Sequence, residues 1–121
     1  MVDRSIVALR PFVPSGADFE GARDLFIALG FEQLWAVDDY VGLRNGRADI
    51  ILQRYDEPGF AENLMFRLDV ADLDAWWAAF KDLPERFPGC RIKGPTDYPW
   101  GREVHLIDLA GVCWHIGVAE D

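Results

Sequence analysis

The chain has 121 residues, half of them hydrophobic, and its 21 acidic residues against 12 basic ones give a formal charge of −9. This length and composition predict one domain with a substantial core. The acidic balance argues against nucleic-acid binding, which needs clustered Lys and Arg. No stretch reads as a membrane span. The two isolated cysteines, Cys90 and Cys113, are typical of a reduced protein, so we expect a cytoplasmic protein without nucleic-acid or membrane partners.

The first half of the chain predicts the element order β-α-β-β-β. Residues 5–12 have strand character, but nearby prolines restrict this strand to an edge or an arm. Asp18 is placed to N-cap a helix whose apolar residues recur at helical spacing, and Gly30 is placed to end it. Asn45-Gly46 predicts a type I′ hairpin turn. The remaining strands are expected over residues 32–37, 40–44 and 47–55.

The second half predicts the same order again after a linker at residues 56–59. A strand over 63–70 precedes a helix that Asp72 caps, as Asp18 caps the first helix. A short strand over 90–93, a turn at Gly94-Pro95 and a hairpin over 99–116 complete the set. Agreement of the capping residue with the apolar helix face supports an internal repeat. We therefore predict a single domain of two modules, about 4–56 and about 62–119.

Four strings in this chain resemble the bleomycin resistance proteins of the glyoxalase, or vicinal oxygen chelate, superfamily. They are Leu29 to Phe31, Val37 to Tyr40, Pro99 to Glu103 and Asp108 to His115. The resemblance implies an α+β fold in which two βαβββ modules form curved mixed sheets. It also implies a homodimer that exchanges its N-terminal strand.

The resemblance further implies a non-catalytic binding protein with no cofactor. Members of that family sequester cationic glycopeptide antibiotics in grooves between the two subunits. In this sequence Trp100 matches the family's drug-stacking Trp, and Tyr40 matches an aromatic on the facing wall. Trp35, Asp38 and Glu103 are the other residues we expect at such a groove, because aromatic faces and carboxylates attract cationic ligands.

Several of these residues have a second interpretation. Trp35 equally suits packing at a dimer interface, which enriches the same residue types. Asp38 and its neighbour Asp39 also suit a solvated turn. Arg67 stands where the drug-binding proteins carry a Trp, and a cation there would repel a cationic antibiotic. We include Arg67 among the ligand-binding residues, paired either with an acidic group of the site or with an anionic group of the ligand.

The sequence predicts no metal site. The superfamily's metal-dependent enzymes place ligands on the first and last strands of each module, where this chain has Ala8 and Met65 on the first strands. His115 alone stands at a ligand position, and one ligand does not make a site. Glu103 and His105 are expected on one face of a strand. The alternatives are a metal-dependent glyoxalase- or dioxygenase-like enzyme, or a binder of an uncharacterised metabolite or protein partner.

Overall fold

The computed structural model describes residues 2–119. Its elements, in chain order, are β1 Phe12–Pro14, α1 Phe19–Ala28, β2 Glu32–Val37, β3 Tyr40–Asn45, β4 Ala48–Gln53, α2 Pro58–Ala61, β5 Met65–Val70, α3 Leu73–Phe80, α4 Leu83–Arg86, β6 Arg91–Tyr98, β7 Gly101–Ile107 and β8 Cys113–Val118. None of the helices in this range is long and apolar enough to cross a membrane.

The eight strands form two four-stranded sheets with the same topology. The first sheet has the order β1-β4-β3-β2, and the second has the order β5-β8-β7-β6. In each sheet the opening strand pairs in parallel with the last strand of its half, and the other pairs are antiparallel. Each longer helix follows the opening strand of its half. The predicted α+β fold with two βαβββ units is therefore confirmed.

The helix boundaries follow the capping residues expected from the sequence. The Asp18 carboxylate accepts from the Gly21 amide at 2.9 Å, and the Asp72 carboxylate accepts from the Ala75 amide at 3.0 Å. At the end of α1, Gly30 adopts a φ of 101°, a conformation that favours glycine. The next amide then reaches back to a carbonyl of the last turn, which closes the helix.

One core joins the two halves. Phe26 of α1 lies edge-to-face on Trp114 of β8 at 5.6 Å between ring centroids, so the first helix also packs on the second sheet. Trp114 is only 2 % exposed, and its indole N–H donates to the Asp108 carboxylate at 2.9 Å. Asp108 also accepts from the amides of Ala110 and Val112, which fixes the β7–β8 turn. Along the strands of both sheets, buried apolar residues alternate with residues of the opposite face, and the buried residues form this core.

The predicted first strand over residues 5–12 is wrong in its extent. Strand β1 begins only at Phe12, and it pairs with the end of β4. The residues before it lie outside regular structure, and Ile6, Val7 and Leu9 are 89 %, 95 % and 82 % exposed. The apolar pattern is that of a strand, and β4 extends to Ala48 beside these residues, but the strand pairing stops at Phe12. Pro11, which has no amide hydrogen to donate, stands at this break.

Two turns also differ from expectation. The β3–β4 hairpin turns at Gly46-Arg47, one residue later than predicted, because Asn45 still pairs with Ala48. Gly94-Pro95, expected to be a turn, lies inside the continuous strand β6, at a shift in register. A bulge accommodates the proline, which has no amide hydrogen to donate. The Trp77 ring packs on Gly94 from the helix side.

Candidate functional site

One face of the second sheet points away from the core, and we call it the second open face. Cross-strand neighbours Arg67, His115, His105 and Lys93 form a row across all four strands of this face. The residues between them in sequence, such as Val104, Leu106 and Ile116, are buried on the core side. Strand alternation therefore gathers basic and imidazole side chains on the open side.

Glu103 lies at the centre of this row and binds three of its members. Its Oε1 lies 3.0 Å from His105 Nε2 and 3.0 Å from His115 Nδ1, and its Oε2 accepts from Arg67 Nη1 at 2.6 Å. The residue is only 2 % exposed. Burial raises the pKa of Glu103, but the hydrogen bonds from the two imidazoles outweigh it and lower the pKa to about 2. The carboxylate is therefore charged throughout the neutral range.

Arg67 is held in place from several sides. Its Nε donates to Asp69 at 2.9 Å, while Nη1 reaches Glu103. The guanidinium lies over Gly117, where an added Cβ would collide with it. The sequence left two partners open for Arg67, and the structure shows the acidic one. The charge of Arg67, expected from the resemblance at the position of a Trp, is therefore compensated by two carboxylates.

Three rings form a column on this face, which we call the aromatic stack. Trp100 stacks on Tyr98 at 5.0 Å with an interplanar angle of 8°, and Tyr98 stacks on His105 at 5.0 Å and 13°. His105 in turn meets His115 edge-on at 4.3 Å. Trp100 is 57 % exposed, so the outer end of the stack is free to receive another ring.

A cleft of about 480 Å³ adjoins the outer end of the stack. Trp100 and Arg67 both line it, together with Asp72 and Asp74 at the start of α3. Asp74 also pairs with Arg102 at 3.2 Å. The cleft thus combines an aromatic ring with charges of both signs. Tyr40 does not line this cleft.

The first sheet also has a face that points away from the core, which we call the first open face. It carries Phe12, Trp35, Val37 and Tyr40, which are 36–59 % exposed. Phe12 and Tyr40 meet edge-to-face at 5.9 Å, and the Trp35 indole lies over Gly42. The end of this face near the β2–β3 turn is therefore mainly apolar, while its other end carries the ion pairs of Asp49 with Arg44 and Arg10.

The predicted site residues therefore fall into two groups on two sheets. Trp100, Glu103 and Arg67 lie together on the second open face, whereas Tyr40 and Trp35 lie on the first open face. Asp38 stands at the tip of the β2–β3 turn with a φ of 49°, and its neighbour Asp39 pairs with Arg54 at 3.1 Å. Within one chain the two groups lie on separate sheets, so the predicted shared groove requires a second copy of the chain that brings them together.

Sequence reasoning missed Tyr98 and underestimated His115. Tyr98 follows Gly94-Pro95, which suggested a turn, so no face was assigned to it. The expected Glu103–His105 pair is present. His115 was assigned a structural role by itself, although its distance to Glu103 makes it a third member of the same group. Glu103, His105 and His115 all have odd numbers on the neighbouring antiparallel strands β7 and β8. Strand alternation places residues of one parity on one face, and this was the available sequence signal.

The two opening-strand positions at which the resemblance places metal ligands carry none here. Ala8 lies in the exposed N-terminal segment, and Met65 offers only a thioether, 3.4 Å from His115 Nε2. The absence of a metal site remains a prediction. However, ligand atoms of Glu103, His105 and His115 lie within 4.8 Å of one another.

The fold can be compared with solved structures. A bleomycin-binding protein from bleomycin-producing Streptomyces verticillus, complexed with copper(II)-bleomycin, superposes with a TM-score of 0.77 at 23 % identity, over 99 % of this chain and 100 % of that chain. A bleomycin resistance determinant encoded on the transposon Tn5 gives 0.78 at 20 % identity, over 96 % and 100 %. The chain has the fold of the bleomycin-binding and bleomycin resistance proteins.

The same fold is also found in an enzyme. Lactoylglutathione lyase from Agrobacterium tumefaciens matches with a TM-score of 0.69 at 17 % identity, over 96 % of each chain. No protein-family model and no curated protein matches the sequence. These superpositions establish the fold, but at 17–23 % identity they do not establish the activity, because one fold hosts many functions.

Proposed function

We propose that this protein binds a small aromatic antibiotic of the bleomycin type and releases it chemically unchanged. The observation that carries this proposal is the aromatic stack, which presents the 57 % exposed Trp100 beside a cleft. A ring of the ligand would extend the stack. A cationic group on the ligand would add attraction to the ring face, worth on the order of 0.5–2 kcal/mol.

The proposed groove lies between two copies of the chain. In this arrangement the first open face of one copy covers the second open face of its partner, so that Trp35, Tyr40 and Asp38 face Trp100 and Arg67. The exposure of Val37 and its aromatic neighbours supports such a cover, because contiguous apolar patches mark interaction sites. A two-fold dimer would contain two equivalent grooves.

The N-terminal segment supports an exchange between the copies. Ile6, Val7 and Leu9 are almost fully exposed within one chain, although their pattern is that of a strand. We propose that this segment pairs with the partner's sheet and so extends its β1 edge. We also place the protein in the cytoplasm, since Cys90 and Cys113 are both free thiols.

The charges of the site favour a ligand that is cationic at one end only. Glu103 and Asp69 compensate Arg67, and Asp72 and Asp74 line the same cleft. The formal charge of −9 attracts a cation from a distance. Lys93, at the far end of the row, would donate a hydrogen bond to a carbonyl or carboxylate of the ligand.

Calorimetric titration with metal-free bleomycin tests the proposal. We expect micromolar or tighter binding with one ligand per chain, and at least about fivefold weaker binding for Trp100→Ala, since loss of a stacking ring costs about 1 kcal/mol or more. Phe60→Ala is the matched control, because Phe60 is a 54 % exposed aromatic that packs edge-to-face elsewhere, against Tyr55. Absence of binding, or equal weakening by both variants, would overturn the proposal.

The alternative is a metal-dependent enzyme of the lactoylglutathione lyase or dioxygenase kind, or a binder of a different metabolite. The fold shared with a lyase favours the first. Neither Ala8 nor Met65 supplies the ligand such a site expects on the opening strands. Mass spectrometry of ligand recovered from the complex distinguishes the readings, because a binding protein returns the molecule intact and an enzyme returns product.

A further inference from the structure

We propose that Glu103, His105 and His115 form a binding site for a divalent transition-metal ion such as Zn²⁺, contained within the second sheet. This inference does not rest on the proposed antibiotic binding. It shares only His115 with the ligand positions considered in the sequence, because its other two residues lie on β7 and none lies on an opening strand.

The ligand atoms converge on one point. His105 Nε2 and His115 Nδ1 each lie 3.0 Å from the same oxygen, Glu103 Oε1. Ligand atoms of a tetrahedral zinc site lie about 3.3 Å apart, as bond lengths of about 2.0–2.1 Å require. Small side-chain movements would therefore open this cluster around an ion. Two imidazole nitrogens and one carboxylate oxygen are a donor set that suits zinc and its neighbours.

The surroundings fit a site of this kind. Arg67 holds Oε2 at 2.6 Å, so it occupies the oxygen that the ion does not need and fixes the orientation of the carboxylate. Tyr98 OH lies 3.4 Å from His105 Nδ1, the outer nitrogen of that ring. Metal-bound histidines commonly use the outer nitrogen for such a contact. Met65 Sδ takes the equivalent place at His115 Nε2.

Geometry fixes which nitrogen of each ring would bind. We call the ring nitrogen that faces Glu103 the inner nitrogen. Without metal, each imidazole can donate to Oε1 from this nitrogen. With metal, the inner nitrogens are Nε2 of His105 and Nδ1 of His115, and both rings carry their proton on the outer nitrogen.

The chain contains only two histidines, so imidazole ¹⁵N NMR of the untagged protein during a Zn²⁺ titration tests the proposal directly. We expect one ion per chain, with coordination shifts at His105 Nε2 and His115 Nδ1. Histidine signals that do not move at saturating Zn²⁺, or coordination through the outer nitrogens, would overturn the site.

Calorimetry with Zn²⁺ on chelator-treated protein supplies the second measurement. His115→Gln and His105→Gln should each weaken binding by at least about 100-fold, because a three-ligand site that loses one ligand no longer holds the ion. Asp24→Asn, which alters an exposed carboxylate on helix α1, should leave the affinity unchanged. Equal affinities for the wild type and both histidine variants, or no binding by the wild type, would contradict the proposal.

Discussion

The two open faces of this molecule are built on the same topology but carry opposite chemistry. The first carries exposed apolar and aromatic side chains, with Val37 at 59 % and Trp35 at 40 % exposure. The second carries a charged network around Glu103, which is 2 % exposed and already paired. Covering apolar surface is favourable in itself, whereas paired polar groups gain little from it. The proposed dimer therefore assigns the first face to the partner copy and the second face to ligand recognition.

A charge placed on the first open face should have the largest effect. Val37→Lys would bury an unpaired ammonium group if a second copy covers this face, at a cost of about 3 kcal/mol or more. We expect the dimer to dissociate, with a dissociation constant raised at least about 100-fold. Sedimentation equilibrium over a concentration series measures this constant.

Ile27→Lys is the matched control for that experiment. Ile27 is 44 % exposed on helix α1, away from both open faces. The control should keep the oligomeric state of the wild type. A Val37→Lys protein that remains dimeric, or a wild type that is monomeric, would remove the functional distinction between the faces.

Loss of the Glu103 charge should destabilise the fold itself. Glu103→Gln leaves Arg67 and two imidazoles facing a neutral amide, and we expect the free energy of unfolding to fall by about 1–3 kcal/mol. Urea unfolding measures the change. The control is Asp74→Asn, another carboxylate next to an arginine, whose side chain is 74 % exposed and whose loss should cost less than about 1 kcal/mol. Equal costs would show that burial of Glu103 contributes nothing.

The acid dependence of stability provides a separate test of the same residue. The folded-state pKa of Glu103 is lowered from 4.5 to about 2, so its contribution is fully present above the unfolded value and is lost as the pH falls through the folded one. The wild-type advantage over Glu103→Gln should therefore shrink between about pH 5 and pH 2. Unfolding free energies of both proteins across this range measure it, and a constant difference would contradict the lowered pKa.

Local sequence signals predicted the two longer helices correctly, whereas contacts between strands were not predicted. Asp18, Asp72 and Gly30 act locally, and the helices they bound were predicted correctly. Contacts between strands depend on register, which the sequence alone leaves open. That is why the bond from His115 to Glu103 was not anticipated. Of the two partners named for Arg67, the acidic one is present, as the packing over Gly117 and the distance to Glu103 show, and the anionic ligand group stays a prediction.

Two glycines offer the smallest and most specific test of the two faces. A Cβ at Gly117 would collide with the Arg67 guanidinium, and a Cβ at Gly42 would collide with the Trp35 indole. Because the guanidinium is the end of a flexible side chain, Gly117→Ala should cost less than about 1 kcal/mol of unfolding free energy as Arg67 swings away.

The consequences of the two substitutions should differ by face. Gly117→Ala releases Glu103 Oε2, and it should change bleomycin affinity while the dimer remains intact. Gly42→Ala displaces Trp35, and it should weaken the dimer first, with ligand affinity falling only as dimer is lost. Calorimetry and sedimentation on the same samples separate these outcomes. If Gly117→Ala instead dissociates the dimer and Gly42→Ala changes only ligand affinity, the roles of the two faces are reversed.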